Sequence, residues 1–275
     1  MDLQKTQELK FAGRYRILEE IGSGGMGKVY KAFDDKLNRI VALKIILTSK
    51  SDKGSALARF LREVQSTALL RHPNIICLYD MGEAEGRYYF TMEYIQGHSL
   101  EALIQKKKRL TGKKTAEIMK QVADAVHYAH TQHIIHRDLK PANIMIRETG
   151  EPVVMDFGIA KITTHGTKLT QDGSVVGTLN YISPEQAEGK SDEVDERSDV
   201  YSLGAILYQA ITGSVPHQGE TSAEILTRIF NDEPKKPSDY SKVISKELEA
   251  ICLKAMEKKK ERRYRDRKST RLNSS

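Results

Sequence analysis

The sequence predicts an α+β fold in two lobes with a cleft between them. Three observations carry this. Strand-like stretches occupy the first third of the chain, helical periodicity takes over in the remainder, and Gly97 stands as a swivel where the pattern changes. With 275 residues the chain is long enough for one large domain or two lobes with a substantial core.

The elements follow in order. Residues 15–21 form a strand leading into glycines, and residues 28–33 and 39–47 form two more, separated by the Asp34-Asp35 turn. Residues 57–70 place Leu57, Phe60, Leu61, Val64 and Ala68 at helical spacing. Strands fit residues 75–82 and 87–94. Ser99 is placed to cap a helix over residues 100–106. Residues 115–132 carry an amphipathic stripe of Ile118, Met119, Val122, Ala125, Val126 and Ala129. Further helices fit residues 199–212, 222–230 and 245–257.

Composition narrows the function. Hydrophobic content of 39% and charged content of 29% fit a globular chain. The net charge of +7 suggests nucleic-acid binding until it is located. Residues 254–271 hold ten Lys and Arg against three Asp and Glu, so the rest of the chain balances, and no nucleic-acid partner is expected. A second basic run, Lys106 to Arg109 with Lys113 and Lys114, reads first as a solvated helix end, with a binding surface as the alternative. Cys77 and Cys252 lie in apolar stretches and read as buried free thiols in a reducing compartment. No apolar run is long enough to span a membrane, and residues 1–10 lack the apolar core of a signal peptide.

The chemistry sits in a few runs. His136-Arg137-Asp138-Leu139-Lys140-Pro141-Ala142-Asn143 is followed, thirteen residues past Asn143, by Asp156-Phe157-Gly158. A carboxylate, a cation beside it, an amide and a second carboxylate are what a Mg-nucleotide reaction requires. Upstream, Gly22-Ser23-Gly24-Gly25-Met26-Gly27-Lys28-Val29 is a glycine-rich loop. Dinucleotide-binding folds use similar glycines but follow them with a helix. Here Lys28 to Phe33 reads as a strand, so the loop is placed as a hairpin flap whose backbone can approach phosphates closely. Lys44 ends an apolar strand, Val41-Ala42-Leu43-Lys44, and is costly to bury unpaired. Glu63 on the following helix is its expected partner.

These ordered runs resemble a eukaryotic-type protein kinase, and Gly24-Gly25-Met26-Gly27 with Ser183-Pro184-Glu185-Gln186 is most similar to the bacterial serine/threonine kinases. The resemblance spans residues 15 to 264, with residues 1–14 as a lead-in in which Gly13-Arg14-Tyr15 adds to the match. It implies the two-lobed protein kinase fold: a strand-rich N-lobe over residues 15–94, a hinge over 93–97, a helical C-lobe over 98–264, and the active site in the cleft. It implies ATP and Mg²⁺ as cofactors and Ser/Thr hydroxyls of proteins as acceptors, the latter from Leu139-Lys140-Pro141. In this reading Asp138 orients or accepts the hydroxyl proton, Lys140 neutralises charge on the transferring group, Lys44 with Glu63 holds the nucleotide phosphates, and Asn143 and Asp156 hold Mg²⁺. Adenine sits between Ile21, Val29 and Ala42 above and Met145 below, with Met92 behind it and the backbone of Glu93 to Ile95 along its edge.

The resemblance also makes residues 156–185 an activation loop. Thr163, Thr164, Thr167, Thr170 and Ser174 are its hydroxyls, and Thr170 and Ser174 are the phosphosite candidates. A loop phosphate would pair with Arg137. Asp172 stands where a second phosphothreonine is common in the family. Thr178 would help to position the acceptor. Asp199 would tie the catalytic loop to a central helix, and Glu185 would pair with Arg263. His136 is a packing residue rather than an acid–base group. The similar bacterial kinases imply a transient homodimer through the N-lobe, and a cytoplasmic enzyme that is either free or the cytoplasmic part of a longer membrane protein. Residues 265–275 lack the final amphipathic helix of the family and read as a truncated, foreign or membrane-adjacent basic tail. Two other functions remain in view, a pseudokinase that only binds and a nucleotide-dependent oxidoreductase.

Overall fold

The computed structural model describes residues 10–24, 27–46, 64, 67–157 and 179–264, which fall into two compact units. The first holds the described residues up to Arg71 together with Ile76–Gln96. The second holds His72–Ile75 and the chain from Gly97 onward.

The first unit is a six-stranded antiparallel sheet of β1 (Lys10–Phe11), β2 (Tyr15–Gly24), β3 (Gly27–Asp34), β4 (Arg39–Ile46), β5 (Leu78–Ala84) and β6 (Arg87–Glu93), in the order β1-β2-β3-β4-β6-β5. Its register sorts side chains between two faces, because directly paired residues point the same way. Ala32 pairs with Val41, Leu43 with Thr91 and Ile45 with Tyr89. Accordingly Ala32, Val41, Leu43 and Ile45 share one core with Phe11 and Tyr15. Tyr89 meets the Phe11 and Tyr15 rings edge-on at 5.4 and 5.6 Å.

The sheet starts upstream of Tyr15, in a two-residue strand too short for any periodicity to announce. Arg14 fixes this end. Its guanidinium donates to both Asp34 oxygens at 2.7 Å and to Asp80 at 2.7 Å. Asp34 is buried, and the Arg14 hydrogen bonds, acting against burial, hold its carboxyl below the usual carboxylate range. The strand expected over residues 75–82 begins at Leu78, while Ile75 bridges in parallel to Val154 in the second unit. Of the helix expected over 57–70, Val64, Thr67 and Ala68 are described and helical.

The second unit combines a small sheet of β7 (Gly97–Ser99), β8 (Ile144–Arg147) and β9 (Pro152–Val154) with helices α1 (Leu100–Lys107), α2 (Gly112–Thr131), α3 (Pro184–Ala187), α4 (Glu196–Thr212), α5 (Ser222–Asn231), α6 (Pro237–Tyr240) and α7 (Lys246–Ala255). Ser99 caps α1 as expected, accepting from the Ala102 N–H. Helix α2 starts earlier than its apolar stripe because Thr111 caps it. Helix α4 is buried on nearly every side, which marks a central helix. It closes at Gly213, in the left-handed conformation that glycine adopts without strain. Gly97 is the first residue of β7 and lies so close to the Ile146 carbonyl of β8 that a Cβ would collide with it.

His217, in the loop after α4, is buried, and its pKa is lowered to about 4, first by burial and then by the positive charge of Lys258 and Arg228, with Asp232 opposing. The unfolded chain takes up this proton below about pH 6.5 and the folded chain only near pH 4. Stability from this residue is therefore complete above about pH 6.5 and is lost as pH falls towards 4. Thermal melts across that window should show a falling midpoint in the parent and a flatter profile in His217→Gln.

Candidate active site

The central residue of the site is Asp199, in the first turn of α4 and fully buried. Its carboxylate accepts from the backbone N–H of His136 at 2.8 Å and of Arg137 at 2.9 Å, and it meets His130 Nε2 at 2.8 Å. A buried carboxylate is stable when it is this fully bonded, and a helix N-terminus adds a favourable field. The loop it holds is strained at Arg137, which has a φ of +66°. His136 is fixed from both sides. Its Nδ1 accepts from the Asp138 N–H at 3.3 Å, which assigns the proton to Nε2, 2.8 Å from the Met155 carbonyl. Its ring lies against Phe157, with centroids 4.6 Å apart. The ring is thus held by packing as well as by hydrogen bonds.

The β8–β9 hairpin brings the next two groups together. Asn143 immediately precedes β8, β9 runs out towards Asp156, and the Met155 N–H donates to the Asn143 carbonyl at 2.9 Å. Asp156 also sits at positive φ, +56°, while the Phe157 side chain after it is fully buried. Asn143 Nδ2 donates to the Asp138 carbonyl at 2.9 Å and to Asp138 Oδ2 at 3.1 Å. Lys140 Nζ lies 3.0 Å from the same oxygen. One Asp138 oxygen is therefore held by two donors, and the other has no partner among the described residues. Using Asn143 Nδ2 in this way leaves its Oδ1 as the acceptor on the other side of the amide.

Under the loop lies a second buried network. Arg263 is a two-pronged donor to Glu185 at 2.7 and 2.8 Å, and its remaining N–H groups reach the carbonyls of Glu257, Arg197 and Lys258. Ser198 adds a bond to Glu185 at 2.6 Å. Burial, the largest single influence, pushes the Glu185 carboxyl up, but the Arg263 and Ser198 bonds outweigh it and hold it below its ordinary value. Next to Glu185, Gln186 Nε2 donates to the Arg137 carbonyl at 2.8 Å. Sequence reading missed this link, although its signal was present: Ser183 and Gln186 form a capping box on α3, which sets the Gln186 side chain. It also missed His130, whose helical stripe gave no hint of a carboxylate partner.

The first unit carries the remaining expected residues. β2 and β3 form a hairpin with Gly22 opposite Val29, Ser23 opposite Lys28 and Gly24 opposite Gly27. The glycines are thus followed by a strand, which removes the dinucleotide-fold reading. Val29, Ala42, Lys44 and Met92 share the face opposite the aromatic core, since Val29 pairs with Lys44 and Ala42 with Met92. Lys44 Nζ stands 5.7 Å from the Phe90 ring centre on that face. A Cβ on Gly27 would strike the Ile45 carbonyl, whereas one on Gly24 would meet nothing within 4 Å. Ile21 is exposed, and Glu93 is anchored by its N–H to the Cys77 carbonyl at 2.9 Å. Ile95 is buried beyond the end of β6, and Met145 lies in β8 of the second unit, opposite Ser99 and Val153. Gly25, Met26, Glu63, Thr170, Ser174 and Thr178 lie outside the described residues.

The protein kinase domain family matches residues 15–270. Among curated proteins, the chain is 41% identical over 264 residues to the serine/threonine-protein kinase PknB of Mycobacterium tuberculosis, covering 94% of this chain and 42% of that protein. It is 39% identical over 255 residues to the serine/threonine-protein kinase PrkC of Bacillus subtilis, covering 93% and 39%. A probable serine/threonine-protein kinase of Streptomyces coelicolor is 39% identical over 268 residues, covering 96% and 40%. The chain thus spans about two fifths of the length of these relatives.

Truncating Arg263 would leave Glu185 buried without its cation. Arg263→Ala should cost about 3–5 kcal/mol, read as a lower urea midpoint at unchanged slope. Arg263→Lys should recover only part of this, because an ammonium cannot reproduce the two-pronged bond.

Proposed function

The chain belongs to the protein kinase family, and from that premise we propose that it is a serine/threonine protein kinase that transfers the γ-phosphoryl group of ATP to Ser and Thr hydroxyls of proteins, including its own activation loop. The observation that carries the proposal is the Asp138–Lys140–Asn143–Asp156 arrangement on a loop fixed by Asp199. Attack of the acceptor hydroxyl on the γ-phosphorus forms one P–O bond and breaks the bond to ADP. The hydroxyl proton passes to the Asp138 carboxylate, whose position is set by Asn143 and Lys140. Lys140 offsets negative charge growing on the transferred group, a preorganised electrostatic role.

The donor set suits Mg²⁺. An amide oxygen from Asn143 and a carboxylate from Asp156 are hard ligands, and Mg²⁺ commonly takes one or two carboxylates and completes its shell with substrate phosphates and water. Among the described residues no group of three or more His, Cys, Asp or Glu could hold a metal ion. Bound there, Mg²⁺ would neutralise phosphate charge. In the same proposal Lys44, paired with Glu63, contacts the α- and β-phosphates, and adenine lies against Ile21, Val29, Ala42, Met92, Met145 and the backbone of Glu93 to Ile95. A pseudokinase is the weaker reading, since Lys44, Glu63, Asp138, Asn143 and Asp156 are all present.

Thr170 and Ser174 are the proposed sites of self-modification, with Arg137 as the cation that would receive the phosphate. We place the enzyme in the cytoplasm, free or as the cytoplasmic part of a longer membrane protein; among the described residues no helix is long and apolar enough to cross a membrane. A transient homodimer through the strand-rich unit completes the proposal, and it requires the self-modification rate per molecule to rise with concentration.

Intact mass after incubation with Mg-ATP should show added phosphate, with peptide mapping placing it at Thr170 or Ser174. Asp138→Asn should lower the rate by about 10²-fold or more, on the scale of general-base losses, while leaving the melting midpoint near that of the parent. A folded, ATP-binding parent that gains no mass would favour the pseudokinase.

A further inference from the structure

The basic run of residues 106–114 and a pocket beside it are not accounted for by phosphoryl transfer. We propose that together they form a docking surface for an acidic peptide segment of a partner protein that carries one large apolar side chain.

Six of these nine residues are Lys or Arg and none is acidic. Lys106, Lys107, Lys108, Arg109, Lys113 and Lys114 are all exposed, and among the described residues none of them forms a salt bridge, although Lys114 pulls electrostatically on Glu151. Lys106 and Lys107 complement the C-terminal dipole of α1. That leaves Lys108, Arg109 and Lys113 without a structural account. Lys108 is the most telling. It occupies the C-cap of α1 at a φ of +63°, a conformation that glycine adopts freely and that costs an L-residue about 1–2 kcal/mol. A long cation stands where the backbone would be more relaxed with glycine.

The turn is held rigidly. The Leu110 N–H donates to the Ala210 carbonyl of α4 at 2.7 Å, and Gly213 packs so closely on the Lys108 carbonyl that a Cβ would collide. Charges on a fixed turn bind with a small ordering cost. Directly beside them, Leu110, Ile211, Val243 and Ile244 line a pocket of about 190 Å³, and Arg109 is part of the same lining. An apolar cavity of about 150 Å³ takes up benzene, so this one has room for an aromatic ring or a branched aliphatic side chain. Val243 is 89% exposed, an apolar side chain left on the surface at the pocket itself.

Charge complementarity selects the occupant. The cations call for carboxylates, and the pocket calls for one apolar anchor within a few residues of them. A nucleic acid or a lipid headgroup would satisfy the cations and leave the pocket unused. An acidic segment with a Phe, Leu or Ile satisfies both. The cations would speed encounter and the anchor would slow release.

The test is a binding measurement that does not depend on catalysis, made on Asp138→Asn protein. Fluorescence anisotropy would follow a dye-labelled, glutamate-rich peptide with one central Phe, beside the same peptide with Ser in that place. The Phe peptide should bind more tightly by about tenfold, the usual worth of a buried anchor. Lys107→Glu with Arg109→Glu should weaken binding by about tenfold or more and flatten its salt dependence. Val243→Asp, at an exposed position that folding does not need, should abolish the preference for Phe over Ser. Equal binding of the two peptides, no effect of Val243→Asp, or binding to phosphatidylserine vesicles but not to the Phe peptide would each overturn the proposal.

Discussion

The helical unit depends on one buried carboxylate. Asp199 is anchored in the first turn of the central helix and binds two consecutive backbone N–H groups of the loop that carries Asp138. Loops are ordinarily the least fixed parts of a fold, yet chemistry needs its groups placed to within a fraction of an ångström. Tying the loop by its backbone solves this without engaging the reactive side chains. It also makes the strained geometry at Arg137 tolerable, because the surrounding bonds over-determine it. Everything downstream inherits this placement: Asn143 and Lys140 orient Asp138, and Met155 bonded to Asn143 brings Asp156 alongside.

Each unit has its own buried or half-buried guanidinium–carboxylate clamp. In the strand-rich unit Arg14 joins the start of the sheet to the β3–β4 turn and to β5. In the helical unit Arg263 joins the chain after α7 to α3. Such pairs add little net stability over apolar packing, and they penalise any arrangement that separates them. Their effect is to select one arrangement over its neighbours. In the helical unit that selectivity reaches the catalytic loop, since Gln186, next to Glu185, binds the Arg137 carbonyl.

What the sequence disclosed followed from chemistry at fixed spacing. Asp138, Lys140, Asn143 and Asp156 lie within one short stretch, so their meeting was legible before any fold was known. The glycine hairpin was legible too, because Lys28 to Phe33 could only continue as a strand. Asp199, Glu185 and Arg263 were singled out through resemblance; Asp199 accepts from the His136 and Arg137 N–H groups, and Glu185 pairs with Arg263. Links across long separations were not legible: Gln186 reaches a carbonyl 49 residues away, and His130 meets a carboxylate 69 residues away. Short elements escaped for another reason. Strands β1, β8 and β9 contain two, four and three residues, too few for an alternating pattern to emerge. Gly97 looked like a swivel, while its packing shows a strand crossing a carbonyl at a distance only glycine permits.

The bond between Glu185 and Arg263 spans 78 residues and lies at the far end of the described chain. A ribosome makes Asp156, the last of the proposed phosphoryl-transfer residues, long before it makes Arg263. At about 5–20 residues per second, several seconds separate a chain that contains every reacting group from one that can bury Glu185 with its partner. Until then the support beneath the catalytic loop is missing its cation. The order of synthesis thus sets a minimum interval between making Asp156 and pairing Glu185 with Arg263.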